Sequence, residues 1–151
     1  MMIRFSAGTG IAGWIVRTAT WSWCAHVGLK LADGLVLDAT PEFGVSIREA
    51  QDDASTRYFR VGGVPQSRLD VVEYHAVQWA KLQIGRPYDW TAIYGMGFRQ
   101  DWHRDDKWFC SELVEGAFSN AGMPLVQDGG LLDRITPRDL LLSPLLVEVA
   151  R

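Results

Sequence analysis

A chain of 151 residues, 48% hydrophobic and 22% charged, is sized for one domain around one core, spanning residues 1–151. Its net charge of −3 speaks against a general nucleic-acid or anionic-membrane surface, and no apolar run reaches the roughly 18 residues of a transmembrane helix. Two cysteines are too few for a disulfide framework, and the apolar stretch 10–16 is too short for a signal peptide, so a cytoplasmic location with free thiols is expected. Residues 8–19 (GTGIAGWIVRTA) read as a short helix with Thr9 at its N-cap and Ile11, Ile15, Ala12 and Ala19 turned inward.

Residues 25–31 and 35–40 read as a hairpin around Ala32-Asp33-Gly34. A three-residue loop with Gly34 in the left-handed region pairs Leu31 with Leu35 and Gly28 with Asp38. One face then carries Val27, Leu29, Leu31, Leu35, Leu37 and Ala39; the other carries His26, Gly28, Lys30, Val36, Asp38 and Thr40. A two-residue loop would put Asp38 among the leucines, and a one-residue slip moves every side chain to the other face, so the longer loop is preferred. It makes His26 and Asp38 diagonal neighbours, with Gly28 leaving room between them.

Further strands are expected at 45–48, 57–61 and 145–150, where apolar and polar residues alternate. Asp70 is a candidate cap for a helix running to about residue 84 and closed by Gly85, with Val71, Val72, His75, Trp79 and Leu82 as its stripe. A GRPYDW loop follows, then a short helical or irregular stretch to about residue 98, then a polar run, 99–107, of mixed charge that reads as a solvated loop or a lid. The clearest helix starts at Cys110: Cys110, Leu113, Val114, Ala117, Phe118 and Ala121 recur at helical spacing, Gly122 ends it, and Pro124 lies beyond. Thr136-Pro137-Arg138-Asp139 has the cap, first-turn proline and first-turn acid of one more short helix.

The chemistry-bearing candidates follow from these placements. A thiol at a helix start meets unpaired N–H groups and the positive dipole end, which favour its thiolate. Beside an imidazole it becomes a nucleophile, and a third polar side chain fixes the imidazole tautomer. Cys110, His26 and Asp38 fit these roles, and the His/Asp face is read independently of the cysteine. Each also has a plain structural reading: a core thiol heading an apolar stripe, a satisfied strand histidine, and an acid before a turn. Cys24 reads as a small buried thiol, His75 as structural, and Glu112 as a stabiliser of the helix start. Cys24, His26, His103 and Cys110 would be the donors of a zinc set, but their spacing matches no usual pattern, so neither metal nor other cofactor is expected.

The segments SWCAHVGL, LVLDAT, GRPYDW and WFCSELVEGAF, in this order over about residues 5–120, resemble the circularly permuted papain-like superfamily. That group includes the YiiX-like bacterial proteins, relatives of the NlpC-type cell-wall peptidases, and the lecithin retinol acyltransferase-like enzymes. The resemblance implies an α+β fold in which an antiparallel sheet of five or six strands packs on the nucleophile-bearing helix. It implies Cys110 as nucleophile, His26 as base, Asp38 at a position where relatives carry Glu or His, and Tyr88 as a pocket or oxyanion residue. A cysteine peptidase or amidase cleaving a peptide or cell-wall peptide fragment is the first expectation; it would act on small fragments or come from a phage or prophage. A lipid acyltransferase or thioesterase is the second, favoured by a deep apolar groove, for which seven Trp give some support. A non-catalytic binding protein on the same fold is the third.

Overall fold

The computed structural model describes residues 1–91, 93, 106–126 and 135–149. In chain order the elements are β1 (Met2–Ser6), α1 (Gly10–Thr20), β2 (His26–Lys30), β3 (Leu35–Thr40), β4 (Gly44–Glu49), β5 (Arg57–Val61), α2 (Gln66–Lys81), α3 (Cys110–Asn120), α4 (Pro137–Leu141) and β6 (Leu146–Val149). The strands form one six-stranded sheet in the order β4-β3-β2-β1-β5-β6, with every pair antiparallel. This is the mixed α+β architecture that the sequence pattern predicts.

Alternation along the strands gives the sheet two unlike faces. Ile3, Phe5, Val27, Leu29, Leu37, Ala39, Val45 and Phe59 share one face through the registers Ile3↔Leu29, Phe5↔Val27, Leu29↔Leu37, Ala39↔Val45 and Ile3↔Phe59, and all are buried in the core. α2 and α3 complete that core with Leu69, Val72, Ala76, Leu113, Val114, Ala117 and Phe118. Strand β1 lies at the centre of the sheet, although residues 2–6 are not among the expected strands. Ile3 and Phe5 alternating with Arg4 and Ser6 carry the period-2 signal.

The helices correct four expectations. In α1 the fully buried residues are Gly13, Val16 and Thr20; the expected Ala12 and Ile15 are half-buried against the core, while Ile11 is 79% exposed and Ala19 is exposed too. The helix turns its smaller side chains inward, and the Thr9 cap position makes no side-chain hydrogen bond. In α2 the start lies one turn earlier, after Pro65, whose carbonyl accepts from Arg68 and Leu69 N–H. Asp70 sits inside the helix, where its carboxylate accepts from the Gln66 amide at 2.7 Å. The buried stripe is Leu69, Val72, Ala76 and Ala80, while Val71, His75 and Leu82 are exposed. Small residues let α2 approach α3 closely: a methyl on Gly116 would lie 2.8 Å from the Trp79 ring.

α3 starts and stops as expected. Glu112 accepts the Phe109 N–H at 3.1 Å, satisfying a donor at the helix start. At the other end Met123 N–H reaches the Phe118 carbonyl and Gly122 N–H reaches Ser119, with Gly122 at φ 77°, a left-handed stop. α4 carries the full reciprocal cap between Thr136 and Asp139. Among the described residues no helix is long and apolar enough to cross a membrane. Most of the expected stretch to residue 98 and of the polar run 99–107, His103 included, lies outside the described residues.

Candidate active site

The site is built on the β2–β3 hairpin. Asp33 (φ 59°) and Gly34 (φ 79°) take the left-handed conformations of the turn, and Leu31 N–H donates to the Leu35 carbonyl at 2.8 Å. The pairs Leu29↔Leu37 and Lys30↔Val36 continue the expected register. His26, Gly28 and Asp38 therefore share the face opposite the core. A methyl on Gly28 would lie 2.9 Å from both Asp38 Cβ and Val36 Cγ2, so the glycine supplies the space beside the Asp38 side chain.

His26 Nε2 is 2.8 Å from Asp38 Oδ2. The Asp38 carboxylate is almost fully buried (1% exposed), whereas the imidazole retains 17% exposure. A buried carboxylate demands compensation, and it receives two partners. Besides His26, Arg48 Nη2 donates to Oδ1 at 2.9 Å and to Oδ2 at 3.0 Å. Burial pushes the Asp38 pKa up, but hydrogen bonds and charge from His26 and Arg48 outweigh it and hold the group below the usual carboxylate range.

Cys110, the first residue of α3, is fully buried, and its sulfur lies 4.0 Å from the Ala25 carbonyl oxygen, next to the start of β2. Burial disfavours the imidazolium of His26, but hydrogen bonding and charge from Asp38 and Cys110 overcome this and raise its pKa to about 9. His26 and Asp38 thus meet across β2 and β3, while the sulfur of Cys110, at the start of α3, has the Ala25 carbonyl as its hydrogen-bond partner.

Tyr88 lies in the loop after α2. This loop is pinned to the outer edge of β4: Val45 N–H donates to the Arg86 carbonyl and Gly85 N–H to the Val45 carbonyl, both at 2.9 Å. Gly44 makes the approach possible, since a methyl there would be 2.4 Å from the Arg86 oxygen. The Tyr88 ring packs against Trp90 and Phe109 and is buried. Desolvation, then the charges of Cys110, Glu112 and Asp89, push its phenol pKa upward.

A cleft of about 810 Å³ opens on this face of the sheet, with His26, Asp38, Arg48 and Tyr88 among its lining residues. Ile11 and Ile15 from α1, with Phe43, Trp90 and Ile93, give it apolar walls. Arg17 ties the α1 wall down by donating to the Ala7 and Gly8 carbonyls. Cys110 does not line the cleft. Tyr88, which lines it and feels the Cys110 charge, stands at the boundary.

The remaining candidates lie outside this arrangement. The Cys24 thiol is buried and donates to the His26 carbonyl at 3.4 Å; desolvation, against the pull of nearby backbone hydrogen bonds, pushes its pKa up to about 12. His75 is exposed, with its ring edge against Tyr74. Arg48 is the residue that sequence reasoning missed. Strand β4 was expected, and Ser46 and Arg48 alternate with Val45 and Ile47, but only the register Val36↔Arg48 and Asp38↔Ser46 brings the guanidinium to Asp38.

No family model matches the chain, and no curated protein does. Among solved structures, the crystal structure of the metalloprotein yiiX from Escherichia coli O157:H7 is similar over 99% of this chain and 95% of that chain, with a TM-score of 0.71 and 22% sequence identity. At that identity the likeness is one of fold. Among the described residues no three His, Cys, Asp or Glu side chains gather into a group that could hold a metal ion.

Proposed function

We propose that this chain is a cysteine hydrolase of the permuted papain-like type, with Cys110 as nucleophile, His26 as base and acid, and Asp38 as the group that orients His26. The observation that carries the reading is His26 Nε2 held 2.8 Å from buried Asp38, with Cys110 buried at the start of α3 and its sulfur 4.0 Å from the carbonyl oxygen of Ala25, the residue before His26. An imidazole with a raised pKa between two acidic partners favours an imidazolium–thiolate pair.

The chemistry then runs in two halves. The Cys110 sulfur attacks a carbonyl carbon, and backbone N–H groups at the start of α3 are suited to receive the negative oxygen. His26 gives its proton to the leaving nitrogen or oxygen as the carbon–leaving-group bond breaks. A water then loses a proton to His26 and attacks the thioester, releasing the acid and restoring the thiol. Because Cys110 is buried, acylation includes a local opening at the cleft floor beside Tyr88.

An amide in a peptide or cell-wall peptide fragment is the substrate class of the first reading. The apolar cleft walls favour a second, in which an acyl ester or thioester of a lipid is attacked by the same three residues. Incubation with both classes, followed by intact-mass measurement, decides between them: the mass added to Cys110 identifies the acyl group. Absence of any Cys110 adduct with either class, and no preferential alkylation of Cys110 over Cys24 at mildly acidic pH, would overturn the hydrolase reading.

A further inference from the structure

We infer that Arg48 is a positioning residue that sets the charge balance of the His26–Asp38 pair, and through it the pH range in which Cys110 is reactive. The inference rests on the hydrolase reading above. Arg48 places one nitrogen, Nη2, on both oxygens of Asp38, at 2.9 and 3.0 Å, and so shares Oδ2 with His26. Its side chain keeps 31% exposure at the cleft, and its guanidinium lies over the Phe43 ring, 5.3 Å from the ring centre. Its Nε is buried with no hydrogen-bond partner, so the group is held by Asp38 and Phe43. An arginine that sacrifices a buried donor to bridge one carboxylate edge is fixed by that carboxylate.

The consequence follows from charge counting. The charged and titratable groups facing His26 are Asp38 from β3, Cys110 from α3, Arg48 from β4 through Asp38, Arg4 from β1, which is paired with Asp52, and Tyr88 beyond Cys110. Without Arg48, Asp38 would give its whole negative charge to His26. Arg48 takes part of it and sets a positive charge against the carboxylate that His26 shares. That charge eases proton loss from His26. Arg48 thereby moves the upper, His26-dependent limit of the reactive range toward lower pH. A purely structural arginine would change how much protein reacts, not the pH at which it does so.

The test is the rate of iodoacetamide alkylation at Cys110, read by peptide mass spectrometry from pH 4 to 10, for the wild-type chain and for Arg48→Gln, Arg48→Met and Arg48→Lys. In both neutral variants the upper inflection, which depends on His26, is expected to move upward by about half a unit or more. Arg48→Lys, which keeps the charge and loses the two-oxygen contact, is expected to leave it within about 0.2 units of wild type while lowering the plateau. An unmoved upper inflection in the Gln and Met variants overturns the assignment, as does failure of both neutral variants to fold, since Arg48 would then be a structural residue. His26→Gln separates the two levels. If the wild-type profile has no His26-dependent reactivity at acidic pH, the hydrolase reading fails; if it has, and the Arg48 variants match it, only this inference fails.

Discussion

Gly28 of β2 lies so close to Asp38 of β3 that a methyl group on Gly28 would be 2.9 Å from Asp38 Cβ. The glycine is there for space, since its φ lies outside the left-handed region. Asp38 can be fully buried and still reach His26 because the strand beside it carries no side chain at that position. Gly28→Ala therefore pushes Asp38 away from the imidazole. It should cost about 1–3 kcal/mol of stability, as overpacking does, and lower the alkylation rate of Cys110 at pH 6 more than tenfold. An unchanged rate with a lowered thermal midpoint would mean that Asp38 does not orient His26.

Cys110→Ala removes one sulfur from a closely packed site. The stability cost should be about 1 kcal/mol, a shift of roughly 2–4 °C in the thermal midpoint. Turnover and acyl adduct should both vanish. Activity retained by a folded Cys110→Ala protein would eliminate the thiol as nucleophile.

Asp38→Asn and His26→Ala should differ in kind. His26→Ala removes the base and should abolish turnover while leaving Asp38 paired to Arg48. Asp38→Asn should lower the rate much less than His26→Ala. It should nevertheless destabilise the fold by about 1–3 kcal/mol, because Arg48 and His26 both lose their counter-charge. Parallel rate and unfolding measurements on the two variants check this. Equal rate losses would give the orienting residue more weight than the mechanism assigns.

The raised pKa of His26 makes a pH prediction whose sign is fixed. A histidine that binds its proton more tightly in the folded state, at about 9 against an ordinary 6.5, stabilises the fold fully below pH 6.5. That contribution is lost as pH climbs through about 9. The wild-type chain should therefore exceed His26→Gln in stability by on the order of 2–3 kcal/mol at pH 6, and the gap should shrink by pH 9.5. Urea unfolding of both proteins at the two pH values measures it. A gap that widened with pH would indicate a histidine buried neutral, with desolvation dominant over Asp38 and Cys110.

The parts legible in the sequence are those where a local rule and a tertiary demand agree. The β2–β3 register could be argued because only one alignment keeps Asp38 off the leucine face, and that alignment is the one found. The α3 boundaries were legible because its apolar stripe, first-turn Glu112 and glycine stop lie within one short segment. Arg48 was not legible, since its meeting with Asp38 depends on the β3–β4 register, which no sharp turn signal fixes. The α1 and α2 faces were misjudged for a different reason. Larger residues such as Ile11, Val71 and Leu82 read as core, yet close packing chose Gly13, Ala76 and Ala80. The central strand β1 was overlooked because its alternation involves only Ile3 and Phe5.

Every residue of α3 from Cys110 to Phe118 is buried. Backbone amides in such a helix have no local route to solvent, so their hydrogen exchange should proceed only through opening of the whole domain and report the global stability. The Cys110 sulfur is thus mounted on the slowest-exchanging part of the chain, and any thiol reagent too large for the cleft would count unfolding events.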